Sequence, residues 1–477
     1  MDSEQKKLHI VMFPWLAFGH MMPFLELSKC LATKGHHIFF VSTPRNIQRL
    51  HKIPHHLSPF ITFVPLSLPR LEGLPHNAEA TTDVGYEMGY DLLKKAYDGL
   101  QEPMTKFLVS TFSSPHPIDW IIYDFSCYWL PPIADKLGIR KVFFSIFSAR
   151  LLAIIGPVSQ DDADADGVGL WSCPEILTSP PHWIPFLSST VYLLPYEARP
   201  FFQALTAKTS SGVSDMFRYQ TCVKGSDMIA VRSCMELEDE YLNLVEKLNQ
   251  KTVVPVGMLP PFVEEIQDND DDDNAWKSIN GWLEKQRYGS VVYVAFGSEF
   301  EPNQEQVIEI ALGLELSGVP FFWVFRTSLI SSLELPEGFE ERTRDRGMIY
   351  RSWVPQVRIL SHDSVGGFLT HAGMSSIIEP LMLGKPLVML PLGGDQGLNA
   401  RFMAEKKTGI EIPRNVEDGS FTRSSVAESL VLMLLDEAGK TYRDHAKKIS
   451  AIFADKSIQS RCIDKFCNYL YEYKSTI

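Results

Sequence analysis

The sequence predicts an α/β fold in which two domains, each built around a parallel sheet, face each other. A chain of 477 residues is too long for one ordinary core. Short apolar runs rich in β-branched and aromatic residues alternate with helical stretches, which is typical of βα units. These runs form two series, and the polar, acidic residues 267–274 between them cannot bury themselves. The chain is therefore divided near this acidic stretch.

Each series supplies the strands of one predicted sheet. The first comprises residues 8–13, 37–42, 61–66, 120–123, 141–145 and 228–231, and the second comprises residues 291–296, 321–325, 347–351, 367–370 and 387–391. Helical spacing fills the intervals, as after Asn303, where residues 307, 310, 311 and 314 form an apolar stripe. We predict a first domain at 1–254, an acidic linker at 255–275, a second domain at 276–456 and a C-terminal helix at 457–477.

Composition and charge exclude several classes of function. With 45% hydrophobic and 22% charged residues the chain is an ordinary globular protein. A net charge of -13 argues against a nucleic-acid partner, which requires clustered Lys and Arg. The polar residues 1–7 lead into a short apolar run without the core of a signal peptide, and no apolar run approaches the roughly 20 residues that span a bilayer. We expect a cytoplasmic protein with a small-molecule partner and no integral membrane contact.

Neither the cysteines nor the aspartate run indicates a metal site. The seven cysteines are widely scattered, with no CxxC pair, and read as reduced, buried thiols. Residues 270–273 are four consecutive aspartates, which could be read as a metal-binding DxD site. A charge run is more often a solvated loop, and we prefer that interpretation.

An anion site is predicted after the strand at 367–370. His371 and Gly373 follow that strand, and two serines then open a helix. The free N–H groups and positive dipole end of such a helix suit a diphosphate, to which His371 and Ser376 can add side-chain donors. Glu379 lies one turn later, where its carboxylate could accept hydrogen bonds from a ribose.

Plainer interpretations of the same residues remain open. Ser376 and Glu379 are also spaced as a capping box. Trp353, taken alone, is more often a core residue than a platform for base stacking. Asp395 and Gln396, taken alone, are more often a surface pair.

The joint spacing from Trp353 to Gln396, about 44 residues, resembles the signature box of the plant UDP-dependent glycosyltransferases that act on secondary metabolites. Weaker similarity extends over residues 13–20, residues 290–298 and the Asn399-Ala400 pair after the box. The resemblance implies the GT-B fold, in which two Rossmann-like, doubly wound domains face a central cleft. It also implies that the second domain holds most of the nucleotide sugar and that the last helix returns to the first domain.

Matching positions of the box imply a donor site. Trp353 would stack on uracil, and Val354 and Gln356 would hold the base and the ribose edge. Glu379 would accept hydrogen bonds from the ribose hydroxyls. The diphosphate would be held by His371, Ser376 and Ser298, and the donor set is completed by Gly19, Gly373 and Ser375. Asp395 and Gln396 would bond the sugar, and a glutamine at the last box position is associated in the family with glucose.

The box departs from the family pattern at two positions. Met374-Ser375 stands where the family usually has Trp-Asn. The tryptophan is thought to act through its backbone, so Met374 should change little. Ser375 replaces an amide that reaches the phosphate or sugar, so one contact is expected to be shortened or lost.

His20 and Asp124 are the predicted catalytic pair. Each follows a strand of the first series, so both emerge at the carboxyl edge of one sheet. A near-neutral imidazole suits removal of a hydroxyl proton, and a carboxylate can orient it. The resembled family uses a His–Asp pair at these positions. It implies inverting transfer in one displacement, with preorganised donors meeting the leaving-group charge and no metal or other cofactor.

An acceptor pocket is expected in the first domain. Its predicted apolar contacts are Phe125, Trp129, Phe147 and Phe201. Residues 14–20 and 42–47 resemble the branch of the family that extends sugar chains on existing glycosides. We therefore predict a monomer that transfers glucose from UDP-glucose to a sugar hydroxyl of a flavonoid or terpenoid glycoside, in 1,2-linkage. The alternatives are a UDP-rhamnose-dependent transferase, a nucleotide-sugar epimerase of the same fold and a catalytically silent UDP-sugar-binding protein.

Overall fold

The computed structural model of the protein describes residues 7–84, 88–112, 116–158, 171–186, 191–261, 273–299, 301–326 and 333–474. Most of the predicted acidic linker, including Asp270 to Asp272, and most of the polar start of the chain lie outside the described residues.

The first lobe is built on a seven-stranded parallel sheet. Along the chain its strands are β1 His9–Phe13, β2 His37–Ser42, β3 Ile61–Pro65, β4 Trp120–Tyr123, β5 Arg140–Ser145, β6 Met228–Val231 and β7 Val253–Pro255. Their order across the sheet is β3-β2-β1-β4-β5-β6-β7. The order reverses at β1, and in such open sheets ligands bind beyond the carboxyl ends of the strands at this point.

The second lobe is built on a six-stranded parallel sheet. Its strands are β8 Val291–Ala295, β9 Phe321–Val324, β10 Gly347–Tyr350, β11 Val365–Thr370, β12 Leu387–Met389 and β13 Gly409–Glu411. Their order is β10-β9-β8-β11-β12-β13, which again reverses beside the first strand of the lobe. The two lobes are therefore Rossmann-like, and the predicted α/β class is confirmed.

Helices connect the strands of both lobes. In the first lobe they are α1 Phe18–Thr33, α2 Pro44–Arg49, α3 Met88–Asp98, α4 Gln101–Phe112, α5 Leu130–Lys136, α6 Ala149–Ile155, α7 Pro195–Thr206, α8 Asp215–Gly225 and α9 Met235–Asn249. Those that follow are α10 Asp273–Leu283, α11 Gln304–Ser317, α12 Phe339–Thr343, α13 Gln356–Leu360, α14 Met374–Met382, α15 Gln396–Glu405, α16 Arg423–Leu434, α17 Lys440–Phe453 and α18 Lys456–Lys474.

The sequence patterns located eleven of the thirteen described strands within a few residues but missed two edge strands. The apolar stripe after Asn303 forms α11, whose first turn is capped by a reciprocal Asn303–Gln306 box. Strands β7 and β13, each of three residues, were not predicted because so short a run carries no clear alternation. Both ends of the predicted linker lie in regular structure, since β7 extends through Pro255 and α10 begins at Asp273.

The last helix packs on the first lobe. Ile463, Phe466 and Leu470 of α18 share a buried cluster with the strands β1, β2 and β4. At the beginning of α18 the Gln459 amide donates to the Val256 carbonyl (2.9 Å) and accepts from the Leu259 N–H (3.2 Å). The chain thus crosses between the lobes twice, and the two crossings are hydrogen-bonded to each other.

Three further observations bear on the sequence predictions. All seven cysteines are free, and five of them are buried. No helix in the described part of the chain is long and apolar enough to cross a membrane. Across the same residues there is no group of three or more His, Cys, Asp or Glu side chains placed to hold a metal ion.

Candidate active site

His20 and Asp124 meet at the carboxyl edge of the first sheet. Strands β1 and β4 are parallel neighbours, and Phe13 pairs with Tyr123, the residue before Asp124. His20 lies in the first turn of α1, and its Nδ1 is 2.7 Å from Asp124 Oδ2. The two side chains, 104 positions apart in the sequence, are therefore in direct contact.

The Asp124 carboxylate is fixed by backbone donors of its own lobe. Its Oδ2 accepts from the Trp15 N–H at 3.0 Å, and its Oδ1 accepts from the Phe125 N–H at 2.7 Å. A carboxylate with this set of donors holds the imidazole in one orientation, with Nδ1 towards Asp124 and Nε2 free to act on another molecule.

The charge environment makes His20 a stronger base than a free imidazole. Burial lowers the pKa of His20, but the charge and hydrogen bond of Asp124 outweigh this effect, and the pKa lies above its usual 6.5. Glu299 and Asp395, both from the second lobe, raise the pKa further. The imidazole therefore faces negative charge from both lobes.

Two of the four predicted acceptor contacts surround His20. The Phe125 and Phe147 rings lie 5.7 and 5.5 Å from the imidazole, measured between ring centroids. Trp129 is buried in the core and packs edge-on against Phe13, while Phe201 packs against Trp171. The structure brings neither of the latter two to the imidazole, so their acceptor role stays a prediction.

On the second lobe, the N-terminus of α14 follows β11 and is bounded by a buried histidine. Gly373 is the N-cap and provides no side-chain cap, so the first N–H groups of α14 lack acceptors within the helix. The His371 ring is packed so closely that a Cβ at Gly297 or Gly373 would lie 2.6 Å from a ring atom. Burial lowers the pKa of His371 to about 4, so the ring is neutral near pH 7.

The capping-box interpretation of Ser376 and Glu379 is wrong. Ser376 is the third residue of α14 and not its N-cap, and it is buried. The Glu379 carboxylate instead accepts from Gln356 Nε2 at 2.7 Å, and Gln356 Oε1 accepts from the Tyr293 hydroxyl at 3.2 Å. Gln356 therefore orients Glu379. Burial raises the pKa of Glu379, whereas the bond from Gln356 and the charge of Arg232 oppose this effect.

The remaining predicted donor residues differ in exposure. Trp353 is 58% exposed, so the interpretation of this residue as core is wrong, and a ring face is open to a planar ligand. Its neighbour Val354 is buried, and Ser298 is exposed. Gly19 lies in the first turn of α1, and a Cβ there would meet no atom within 4 Å.

Asp395 and Gln396 are not a surface pair. Gln396 is only 2% exposed, and its Oε1 accepts from the N–H groups of Leu392 and Gly393 at 2.8 and 3.2 Å. Only the Gln396 NH₂ group remains to bond a ligand, so this side chain can act there only as a donor. Asp395 is the N-cap residue that precedes α15, and its carboxylate accepts from Asn399 Nδ2 at 2.9 Å.

Three charged residues at the site were not predicted from the sequence. Arg150 donates from α6 to Asn399 Oδ1 (2.9 Å), which links the first lobe to the residue that holds Asp395. The Glu299 carboxylate accepts from the hydroxyls of Thr81 (3.0 Å) and Tyr90 (2.9 Å) of the first lobe. Arg232 donates to Ser375 at 2.9 Å. For Arg150 and Arg232 the available signal was a charge inside or directly after an apolar run, since such a charge needs a buried partner.

Comparison with known proteins agrees with this geometry. The family model described as UDP-glucoronosyl and UDP-glucosyl transferase matches residues 255–466. UDP-glycosyltransferase 91A1 of Arabidopsis thaliana is 48% identical over 476 residues, covering 98% of each chain. Soyasaponin III rhamnosyltransferase of Glycine max is 39% identical, covering 99% of this chain and 97% of its own.

The chain belongs to the plant UDP-glycosyltransferase family. The fold of this UDP-glycosyltransferase is similar to that of UGT89C1 of Arabidopsis thaliana, whose crystal structure contains UDP-L-rhamnose. The TM-score is 0.74 at 22% identity, covering 98% of this chain and 99% of the other. This UDP-glycosyltransferase therefore has the GT-B architecture, and its two sheets are the two Rossmann-like halves.

Proposed function

We propose that this enzyme transfers glucose from UDP-glucose to a hydroxyl of a small-molecule glycoside, with His20 as the base. The observation that carries the proposal is the His20–Asp124 pair at 2.7 Å, with carboxylates of the second lobe acting on the same imidazole. A base built in one lobe and influenced by charges of the other is suited to act between two substrates.

The proposed reaction is one displacement. His20 Nε2 takes the proton of the acceptor hydroxyl, and the oxygen attacks C1 of the sugar from the face opposite UDP. The bond from C1 to the β-phosphate oxygen breaks through an oxocarbenium-like state, and its electron pair leaves with UDP. Because attack and departure occur on opposite faces, the anomeric configuration inverts.

The donor site is assigned to the second lobe. Trp353 offers the exposed ring face for uracil, with Val354 beside it, and Glu379 accepts from the ribose hydroxyls. The uncapped N-terminus of α14 meets the charge of the departing diphosphate, and His371, Ser376 and Ser298 add donors there. Because these donors are preorganised, the proposed step requires no divalent metal. Transfer should therefore persist in a chelator, and a strict requirement for added Mg²⁺ or Mn²⁺ would contradict this part.

Two residues are assigned to the donor sugar. Asp395 would accept from its hydroxyls, and Gln396 would donate through its NH₂ group, since the Gln396 oxygen is occupied. The glutamine at the end of the box supports glucose. A second candidate is transfer of rhamnose from UDP-rhamnose, favoured by the 39% identity to the soyasaponin III rhamnosyltransferase.

The acceptor is assigned by the surroundings of the base. Phe125 and Phe147 line the space beside His20 with aromatic surface, which suits an apolar flavonoid or terpenoid skeleton. The resemblance of residues 14–20 and 42–47 to the chain-extending branch supports a sugar hydroxyl as the nucleophile, in 1,2-linkage.

The test is a metal-free assay with UDP-glucose and UDP-rhamnose in parallel, read by mass. The acceptors are flavonoid and terpenoid aglycones and their monoglucosides. We expect a hexose gain on the monoglucosides only. A deoxyhexose gain would favour the second candidate, and the absence of any transfer while UDP still binds would favour a silent binding protein.

A further inference from the structure

Arg232 is a buried cation at the junction of the two lobes. It follows β6 directly and is only 3% exposed. Its Nε donates to the Met258 carbonyl at 2.9 Å and its Nη2 to the Leu259 carbonyl at 3.3 Å, both in the crossing segment after β7. Its Nη1 donates to Ser375 Oγ in the first turn of α14 at 2.9 Å.

No carboxylate within the described part of the chain forms an ion pair with Arg232, whose hydrogen bonds go to two carbonyls and one hydroxyl. Burial lowers the pKa of Arg232 to about 10, while the charges of Glu379 and Glu26 raise it. The guanidinium therefore remains protonated near pH 7. A buried cation without a paired anion is costly, and a nearby ligand anion would reduce that cost.

The position of this cation coincides with an independent source of positive potential. Ser375 belongs to the first turn of α14, where the N-cap Gly373 contributes no side chain and the first N–H groups lack acceptors in the helix. The helix belongs to the second lobe and the guanidinium to the first, but both raise the electrostatic potential in the same small volume. Both favour an anion at the beginning of α14.

The hydrogen bond also decides what the Ser375 hydroxyl can do. A hydroxyl has one hydrogen to donate and can accept as well. Because Ser375 Oγ accepts from Arg232, its hydrogen is directed elsewhere, and the charge of the donor polarises the hydroxyl and strengthens any bond it makes. The Ser375 hydroxyl, which could otherwise donate or accept, is thereby left to act as a hydrogen-bond donor towards a further group.

We propose that Arg232 and Ser375 form an interlobe relay, in which the guanidinium orients the serine hydroxyl towards the diphosphate of the nucleotide sugar. Arg232 is a positioning residue in this relay, and Ser375 makes the contact. The relay supplies a donor where the family usually has an asparagine, so the contact expected to be shortened or lost is retained. This inference rests on the proposed donor site, but it does not require His20 to be the base.

The test compares binding of UDP with binding of uridine, which lacks the diphosphate, by calorimetry. Arg232→Met should weaken UDP binding about 10- to 100-fold and uridine binding less than about twofold. Ser375→Ala should lower the UDP preference in the same way, and Ser375→Thr, which keeps the hydroxyl, should restore it. In the double variant the two losses should not add, because the serine is oriented by the arginine.

A matched control is Arg401→Met, which removes another largely buried arginine that bonds across the lobes, to Glu197 and to the Tyr192 carbonyl. It should leave the ratio of UDP to uridine affinity unchanged. Should Arg232→Met fail to fold, Arg232→Gln, which keeps donors without the charge, carries the same comparison. Equal weakening of UDP and uridine, or an unchanged ratio in the Arg232 and Ser375 variants, would overturn the proposal. Both outcomes are independent of transfer, so an inactive enzyme would not obscure them.

Discussion

Asp124 and Asp395 are carboxylates on opposite sides of the cleft, and they are held in different ways. Asp124 is bound by His20 and by two N–H groups of its own lobe. Asp395 is bound by Asn399, which is in turn bound by Arg150 of the other lobe. The difference teaches that the geometry for the proposed proton transfer is built within one lobe. The proposed sugar contact depends on both lobes being together.

The two carboxylates also enter the pH dependence in different ways. Asp124 acts on the pKa of His20, whereas the pKa of Asp395 is itself shifted. Asp124 raises the pKa of His20, the proposed base. Burial raises the pKa of Asp395, and the bond from Asn399 and the charges of Arg150 and His20 oppose that rise. Activity that needs neutral His20 or ionised Asp395 is lost in either case as the pH falls. Substitutions at the two sites should nevertheless shift the acid limb in opposite directions.

The largest effect is expected from His20→Ala. Without the proposed base, kcat should fall about 10³-fold, while UDP affinity should stay within about twofold because the proposed donor site is assigned to the other lobe. Steady-state kinetics and calorimetry measure the two quantities. His445→Ala, at a half-buried position of α17 where the ring bonds the Thr441 carbonyl of the same helix, is the matched control and should change neither. Unchanged turnover in the His20 variant would remove the base from the proposed reaction.

A smaller effect is expected from Asp124→Asn, with about a 10²-fold fall in kcat/KM. The loss of the carboxylate charge should lower the pKa of His20, so the acid limb of the kcat/KM profile should move to lower pH. The exposed Asp464→Asn serves as the control. An acid limb that stays in place would show that Asp124 does not set the titration of the base.

The smallest effect is expected from Asn399→Ala, with about a tenfold fall in kcat/KM for the sugar donor. Asp395 would lose its hydrogen bond and its link to Arg150, so its pKa should rise further and the acid limb should move to higher pH. UDP affinity should not change. Asn280→Ala, which removes a half-buried amide that donates to Glu284 one turn later, is the control. A shift towards lower pH would contradict the contrast between the two carboxylates.

The sequence predicted best what lies close together along the chain. The residues from Trp353 to Gln396 are contiguous, and the turn after β11 could be recognised from its glycine and serines. The proximity of His20 and Asp124 could be predicted despite their separation because both follow strands of one parallel sheet. In both cases a local pattern and a rule of sheet geometry were sufficient.

Contacts between the lobes could not be predicted in this way. The bonds of Arg232 to Ser375 and of Arg150 to Asn399 depend on how two separately formed sheets are oriented, which no periodicity encodes. The hydrogen bond that the Gln396 oxygen accepts within its own loop could not be predicted either, since a side-chain amide can point either way from the same position. Roles assigned from matching positions alone would have left all three unexplained.

The paired crossings of the chain restrict how the cleft can open. The segment after β7 and the beginning of α18 are bonded to each other through Gln459, and a Cβ at Gly257 would overlap the Gln459 amide. Because the chain connects the two lobes at these two neighbouring crossings, the rotation that disturbs the fewest contacts is one about an axis that passes near both crossings. Sliding or twisting of one lobe over the other would break these bonds. Any opening of the cleft about these crossings would therefore bring the two halves back to the same register on closing.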